Sequence, residues 1–123
     1  NHPNVDYAYY LKGVVNFVED QNILTRLSSQ DPAERDPRSM RESFAAFKDL
    51  VQRFPDSIYA PDARQRMVFL RNRLAAYEMH VARYYAKRRA WVAALNRAQF
   101  VMTQYDGSPY TGEALAMMVD SDE

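Results

Sequence analysis

The residues of this chain that could do chemistry are few and poorly spaced for it. Its two histidines, His2 and His80, stand far apart. Glu78 and His80 are two residues apart, a step that on a helix sends the side chains to different faces. No H-E-x-x-H run occurs, nor any carboxylate set at metal-ligand spacing. Cysteine is absent, which removes disulfides, thiol nucleophiles and thiolate metal sites together. Glycine occurs only at Gly13, Gly107 and Gly112, too sparsely for a phosphate-cradling loop. We therefore expect no enzyme, with no catalytic residue, resident metal or cofactor.

What remains is charge. The net charge is zero, yet Arg64, Arg66, Arg71, Arg73, Arg83, Lys87, Arg88, Arg89 and Arg97 face Glu78 alone between 64 and 97. That segment carries +8 and the rest of the chain −8. A basic helix can neutralise phosphates, so murein or DNA binding is one reading. The arginines, however, are spread around a long helix, and acidic flanks would repel the same backbone. An acidic protein surface is the simpler partner.

The elements that position these residues all read as helix. A length of 123 residues suits one domain, and 47% hydrophobic with 26% charged residues suits a folded chain. No apolar run approaches the roughly 18 residues a membrane helix needs, and no signal-peptide pattern opens the chain. It starts without Met and stops on VDSDE, which we read as a fragment of a longer protein. Tyr7, Tyr10, Val14 and Phe17 form a helical stripe, with Asn4 placed to cap it. Periodicity fails from 20 to 37, where Ile23, Leu24 and Leu27 are the only large apolar residues. Asp36 as cap and Pro37 in first position then open a helix, with Ser39 and Glu42 as an alternative capping box. Its stripe is Met40, Phe44, Phe47, Val51 and Phe54, and Pro55 ends it. Ala63, Met67, Leu70, Leu74, Tyr77, Val81 and Tyr84 mark a long helix over 60–87, nearly 40 Å at about 1.5 Å per residue. Helices over 90–105 and 110–119 follow, the first with Trp91, Leu95 and Met102 beside its main face.

Two similar phrases, FPDSIYAPDA at 54–63 and YDGSPYTGEA at 105–114, punctuate these helices. Ala82, Tyr85, Ala94, Ala98 and Val101, closed by Asp106, match the small, Tyr, small, packing, packing, turn spacing of a tetratricopeptide repeat. Gly13, Ser43, Phe47, Leu50 and Pro55 match it with an insertion over 20–37. The expected fold is all-α: one tetratricopeptide-like solenoid domain over 1–123. Repeat A covers about 4–55, repeat B about 58–106, and a further repeat starts over 110–123.

HPNVDYAYYLKG, DPRSMRESFAAFKDLVQRFPDSIYAPDARQRMVFLRNRLAAYE and VARYYAKRRAWVAALNRAQ together resemble the BamD family of outer-membrane assembly lipoproteins, also called ComL or competence lipoproteins. The resemblance spans nearly the whole chain and includes the insertion ending in RDP. It implies a scaffold of about five tetratricopeptide repeats, lipid-anchored by an N-terminal Cys to the periplasmic face of the outer membrane. Such scaffolds serve the β-barrel assembly (BAM) machinery. They hold BamA through its POTRA domains, bind smaller lipoproteins and help recognise unfolded outer-membrane protein substrates. The anchor Cys and the earliest repeats, where the family mostly places its substrate groove, are not in this sequence. The middle-to-late repeats, which it does resemble, are where the family docks a POTRA domain.

Arg97, in the NR of ALNRAQ, holds the family-equivalent position for the BamA contact. It should face solvent beside a helix–helix groove, ready to pair with a partner carboxylate. Arg88 and Trp91 are further candidates for a partner surface. The spacing of Tyr84, Tyr85 and Trp91 nonetheless places them in packing first. Ile23, Leu24 and Leu27 could dock on a partner lipoprotein, and folding back on their own repeat is the preferred expectation.

Overall fold

The computed structural model describes residues 4–26 and 37–121, with the side chains of 19–26 and 120–121 outside that description. Five helices carry the described chain: α1 (Val5–Arg26), α2 (Arg38–Arg53), α3 (Ala60–Lys87), α4 (Trp91–Gln104) and α5 (Thr111–Ser121). Among the described residues there is no strand. The fold is all-α and tetratricopeptide-like. It divides into two compact units, one built from α1, α2 and α3 through Leu70, the other from Arg71 onward.

In the first unit α1 and α2 run antiparallel: Tyr9 packs on Phe54, Tyr10 on Phe47, and Gly13 meets Ser43. The crossing is close because its contact residues are small. Ser43 is fully buried and its hydroxyl donates to the Gly13 carbonyl at 2.8 Å. Phe47 and Leu50, the two packing positions of the repeat, are completely buried, in a core they share with the buried Met40, Ala46, Ala63 and Leu70. In the second unit Ala82, Ala94, Ala98 and Val101 are likewise fully buried, the repeat spacing read again in a second helix pair.

The two punctuating phrases fold alike, 51 residues apart. Ser57 N–H donates to the Phe54 carbonyl and Ser108 N–H to that of Tyr105. Each serine hydroxyl accepts from the backbone N–H two residues on, of Tyr59 and of Tyr110, and Ala63 and Ala114 close the first helical turn onto those tyrosines. The acid after each turn ties back to an earlier helix of its own unit. Tyr10 donates to Asp62 at 2.7 Å, and Arg83 forks onto Glu113 at 2.9 Å.

Four expectations need correction. The stretch read as an irregular insertion from residue 20 is helical as far as Arg26, where α1 ends. No Pro or Gly stands between Gly13 and Pro32, so nothing breaks it sooner. The N-cap of α2 is Pro37 rather than Asp36, without a side-chain cap hydrogen bond, and Ser39 lies inside the helix. The buried stripe of α2 is Met40, Ser43, Ala46, Phe47 and Leu50, while Phe44, Val51 and Phe54 are only half-buried. In α3 the buried line after Leu74 runs through Ala75, Glu78, Met79 and Ala82. Tyr77 and Val81 are half-buried and Tyr84 is exposed. Small residues win the interface because they let helices approach closely, which displaces the bulkier tyrosines to its margin.

Candidate functional site

The buried line of α3 carries one charge. Glu78 lies between Tyr77 and Met79 and is 1% exposed. A carboxylate withdrawn from water to that degree requires a partner, and α4 supplies it. The small Ala94 and Ala98 bring α4 onto α3, and Arg97, one residue before Ala98, reaches back across the seam. Its Nη1 donates to Glu78 Oε2 at 2.7 Å, while its own side chain stays 41% exposed. The Glu78 carboxylate holds the Arg97 guanidinium above its ordinary pKa, so Arg97 is a fixed cation.

Beside this pair lies an open cleft of about 380 Å³ lined by Tyr85, Ala93, Asn96, Arg97 and Phe100. Phe100 is exposed and stacks edge-on against Tyr105 at 5.5 Å. The guanidinium has five N–H donors in a planar fork, more than one carboxylate oxygen takes up. Its outer edge can receive a second carboxylate, with Asn96 beside it and apolar walls on either hand. Among the described residues no cluster of three or more His, Cys, Asp or Glu could hold a metal ion.

The other candidates stand elsewhere. Trp91 is exposed, so the packing expected of it is corrected; it lines a different depression, with Ala86, Glu113, Ala116 and Met117. Tyr84 is corrected in the same way, and Tyr85 is half-buried. Arg88 is exposed and lies over the Tyr84 ring, 3.7 Å from its centroid. Ile23 and Leu24 fall within helical α1; their side chains, and Leu27 entirely, lie outside the described residues. Arg97 itself is where the sequence placed it, beside a helix groove, but it is held by a carboxylate rather than simply solvent-facing.

The basic stripe is partly consumed at home. Besides Arg97–Glu78, Arg66 pairs with Asp62 at 2.7 Å and Arg83 with Glu113. Sequence reasoning missed Glu78 as the partner of Arg97, treating it as a lone acid. Its isolation within a +8 segment on a buried helix line was the available signal.

The family described as YfiO, outer membrane lipoprotein, matches residues 1–123. Over 117 residues the chain is 54% identical to the outer membrane protein assembly factor BamD of Neisseria meningitidis serogroup A, covering 95% of this chain and 44% of that protein. The BamD proteins of Vibrio cholerae and Haemophilus influenzae are 37% and 39% identical over 98% of this chain, and over 50% and 46% of their own lengths. The chain thus spans about half the length of the curated relatives it matches. Their names speak of outer-membrane protein assembly, and the competence reading finds no support in them. No helix among the described residues is long and apolar enough to cross a membrane.

Proposed function

This chain belongs to the YfiO family of outer membrane lipoproteins, which its BamD relatives share, and from that premise we propose that it is a non-enzymatic scaffold of outer-membrane protein assembly. Its place is the periplasmic face of the outer membrane, through a lipid anchor outside this sequence. Its partner at the Arg97 cleft is a POTRA domain of BamA. Smaller lipoproteins of the BAM machinery and unfolded outer-membrane substrates are partners of the whole protein, and the exposed Trp91 and Arg88 are candidates for the former.

One observation carries the POTRA assignment. Arg97 is half-exposed, permanently charged, and held at the mouth of a cleft by a buried carboxylate. An immobilised arginine beside apolar walls suits a partner loop that presents one acidic side chain next to an apolar one. A flexible surface arginine would first pay the entropy of being ordered.

The test is co-purification of the chain with isolated POTRA domains. Reversing the charge as Arg97→Glu would set two carboxylates against each other at a buried site and confound binding with folding. The cleaner control is the paired variant Glu78→Gln/Arg97→Gln, which removes both charges and keeps a hydrogen-bonding pair. The parent should capture the POTRA domains and the paired variant, with unchanged helix content, should not. Equal capture would overturn the assignment.

A further inference from the structure

The Glu78–Arg97 pair does more than hold the helices together. In a fully buried ion pair both members lose their hydration. Here the carboxylate is 1% exposed and the arginine 41% exposed. The negative member is sealed in the helix seam and the positive member is presented to the cleft. Glu78 Oε2 accepts from Nη1 of the fork, and the cleft lies against Asn96, Tyr85 and Phe100 beside Arg97.

We infer that Glu78 is a positioning and tempering residue for partner docking: it fixes the Arg97 guanidinium at the cleft and, by sharing its positive charge, limits how strongly Arg97 attracts a partner carboxylate. This rests on the reading of Arg97 as a docking residue. The two effects have opposite signs and separate by substitution. Glu78→Gln keeps an oxygen acceptor for Arg97 but drops the charge, so a partner carboxylate meets an arginine that is placed and no longer shared. Glu78→Ala removes the acceptor as well, so the guanidinium loses its fixed orientation. Tempered docking suits a scaffold whose contacts must form and release, because charge that is too strong also attracts wrong acidic surfaces.

Two arms test this, one of them free of any partner. Slow rotation about the Arg97 guanidinium bond, seen by nitrogen NMR of the full chain, should persist in the parent and in Glu78→Gln and be lost in Glu78→Ala. Titration with acetate as a carboxylate probe should move the Arg97 signals further in Glu78→Gln than in the parent. Free rotation in the parent, or equal acetate response, would overturn the inference even if no POTRA domain binds.

The second arm is a cycle of POTRA affinities over parent, Glu78→Gln, Arg97→Gln and the paired variant. Glu78→Gln should tighten binding by about two- to fivefold, the range of a half-exposed ion pair, and steepen its salt dependence. In the Arg97→Gln background the same change should do nothing. A merely structural glutamate would give equal effects in both backgrounds, and that result would overturn the role assigned to Glu78. If Arg97→Gln itself leaves affinity unchanged, the docking assignment falls, and the NMR arm alone decides whether Glu78 orders and tempers Arg97.

Discussion

The Ser43 hydroxyl donates a 2.8 Å hydrogen bond to the carbonyl of Gly13, thirty residues earlier, at the point where α1 crosses α2. Directly beside it the Phe47 ring fills the space a side chain on Gly13 would need: a Cβ there would lie 2.6 Å from Phe47 Cε1. Hydrogen bond and ring together set the helix separation.

Gly13→Ala should therefore destabilise the chain although Ala is the better helix former. Overpacking costs about 1–3 kcal/mol against a propensity gain of about 1 kcal/mol, so a net loss of up to about 2 kcal/mol is expected in urea unfolding. A variant as stable as the parent would show that Phe47 moves freely, contrary to its complete burial.

Arg89 adopts φ +60 after the last turn of α3, with Ala90 N–H bonded to the Tyr85 carbonyl and Arg89 N–H to that of Ala86. This is a Schellman closure, at a position where glycine is the usual residue. The Arg89 side chain is exposed, so replacing it removes backbone strain and little packing. Arg89→Gly should raise stability by about 0.5–1 kcal/mol, the left-handed penalty less glycine's extra unfolded-state freedom. Thermal unfolding checks it; a lowered Tm would contradict it.

Tyr10, Asp62 and Arg66 form a coupled cluster in the first unit. The hydrogen bond from Tyr10, then that from Arg66, holds the Asp62 carboxyl below its usual pKa, and the bond to Asp62 raises that of Tyr10. Asp62 therefore contributes stability present above its unfolded pKa and lost as pH falls through the depressed folded value. Tyr10 contributes stability present below its unfolded pKa and lost as pH rises through the raised folded value. Tyr10→Phe should cost about 0.5–1.5 kcal/mol near neutrality and flatten both limbs of the pH–stability profile. An unchanged acid limb in Tyr10→Phe would contradict this coupling.

Arg97→Ala takes the 2.7 Å Arg97 contact away from the buried Glu78 carboxylate. The expected loss is about 1–3 kcal/mol in denaturant unfolding, below that of a fully buried pair because Arg97 is 41% exposed. Adding Glu78→Gln to it should recover part of that loss. If the double variant is no more stable than Arg97→Ala, the buried Glu78 charge is not the cause.

Much of this was legible in the residues. Serine, tyrosine and a small residue recur at fixed offsets in the two turn phrases, and the same hydrogen bonds form in both because those offsets place the same groups. The small positions Gly13, Ser43, Ala82 and Ala94 were visible from their match to the tetratricopeptide spacing. The path of α1 to Arg26 was harder to see, because loss of apolar periodicity removes a packing face without breaking backbone hydrogen bonds. The seam of α3 was misplaced because period alone does not tell a tyrosine in the core from one at its rim. Glu78 was hidden for a related reason: only the close approach of α4 turns an ordinary helix acid into a sealed carboxylate facing Arg97.

The most direct test of the central claim is the calorimetric Kd of isolated POTRA domains for the full chain and for Glu78→Gln/Arg97→Gln, over a range of salt. Binding by the parent should weaken as salt rises, and the paired variant should bind at least about tenfold more weakly, as for loss of a central charged anchor. Equal affinity of the two proteins at every salt concentration would contradict it.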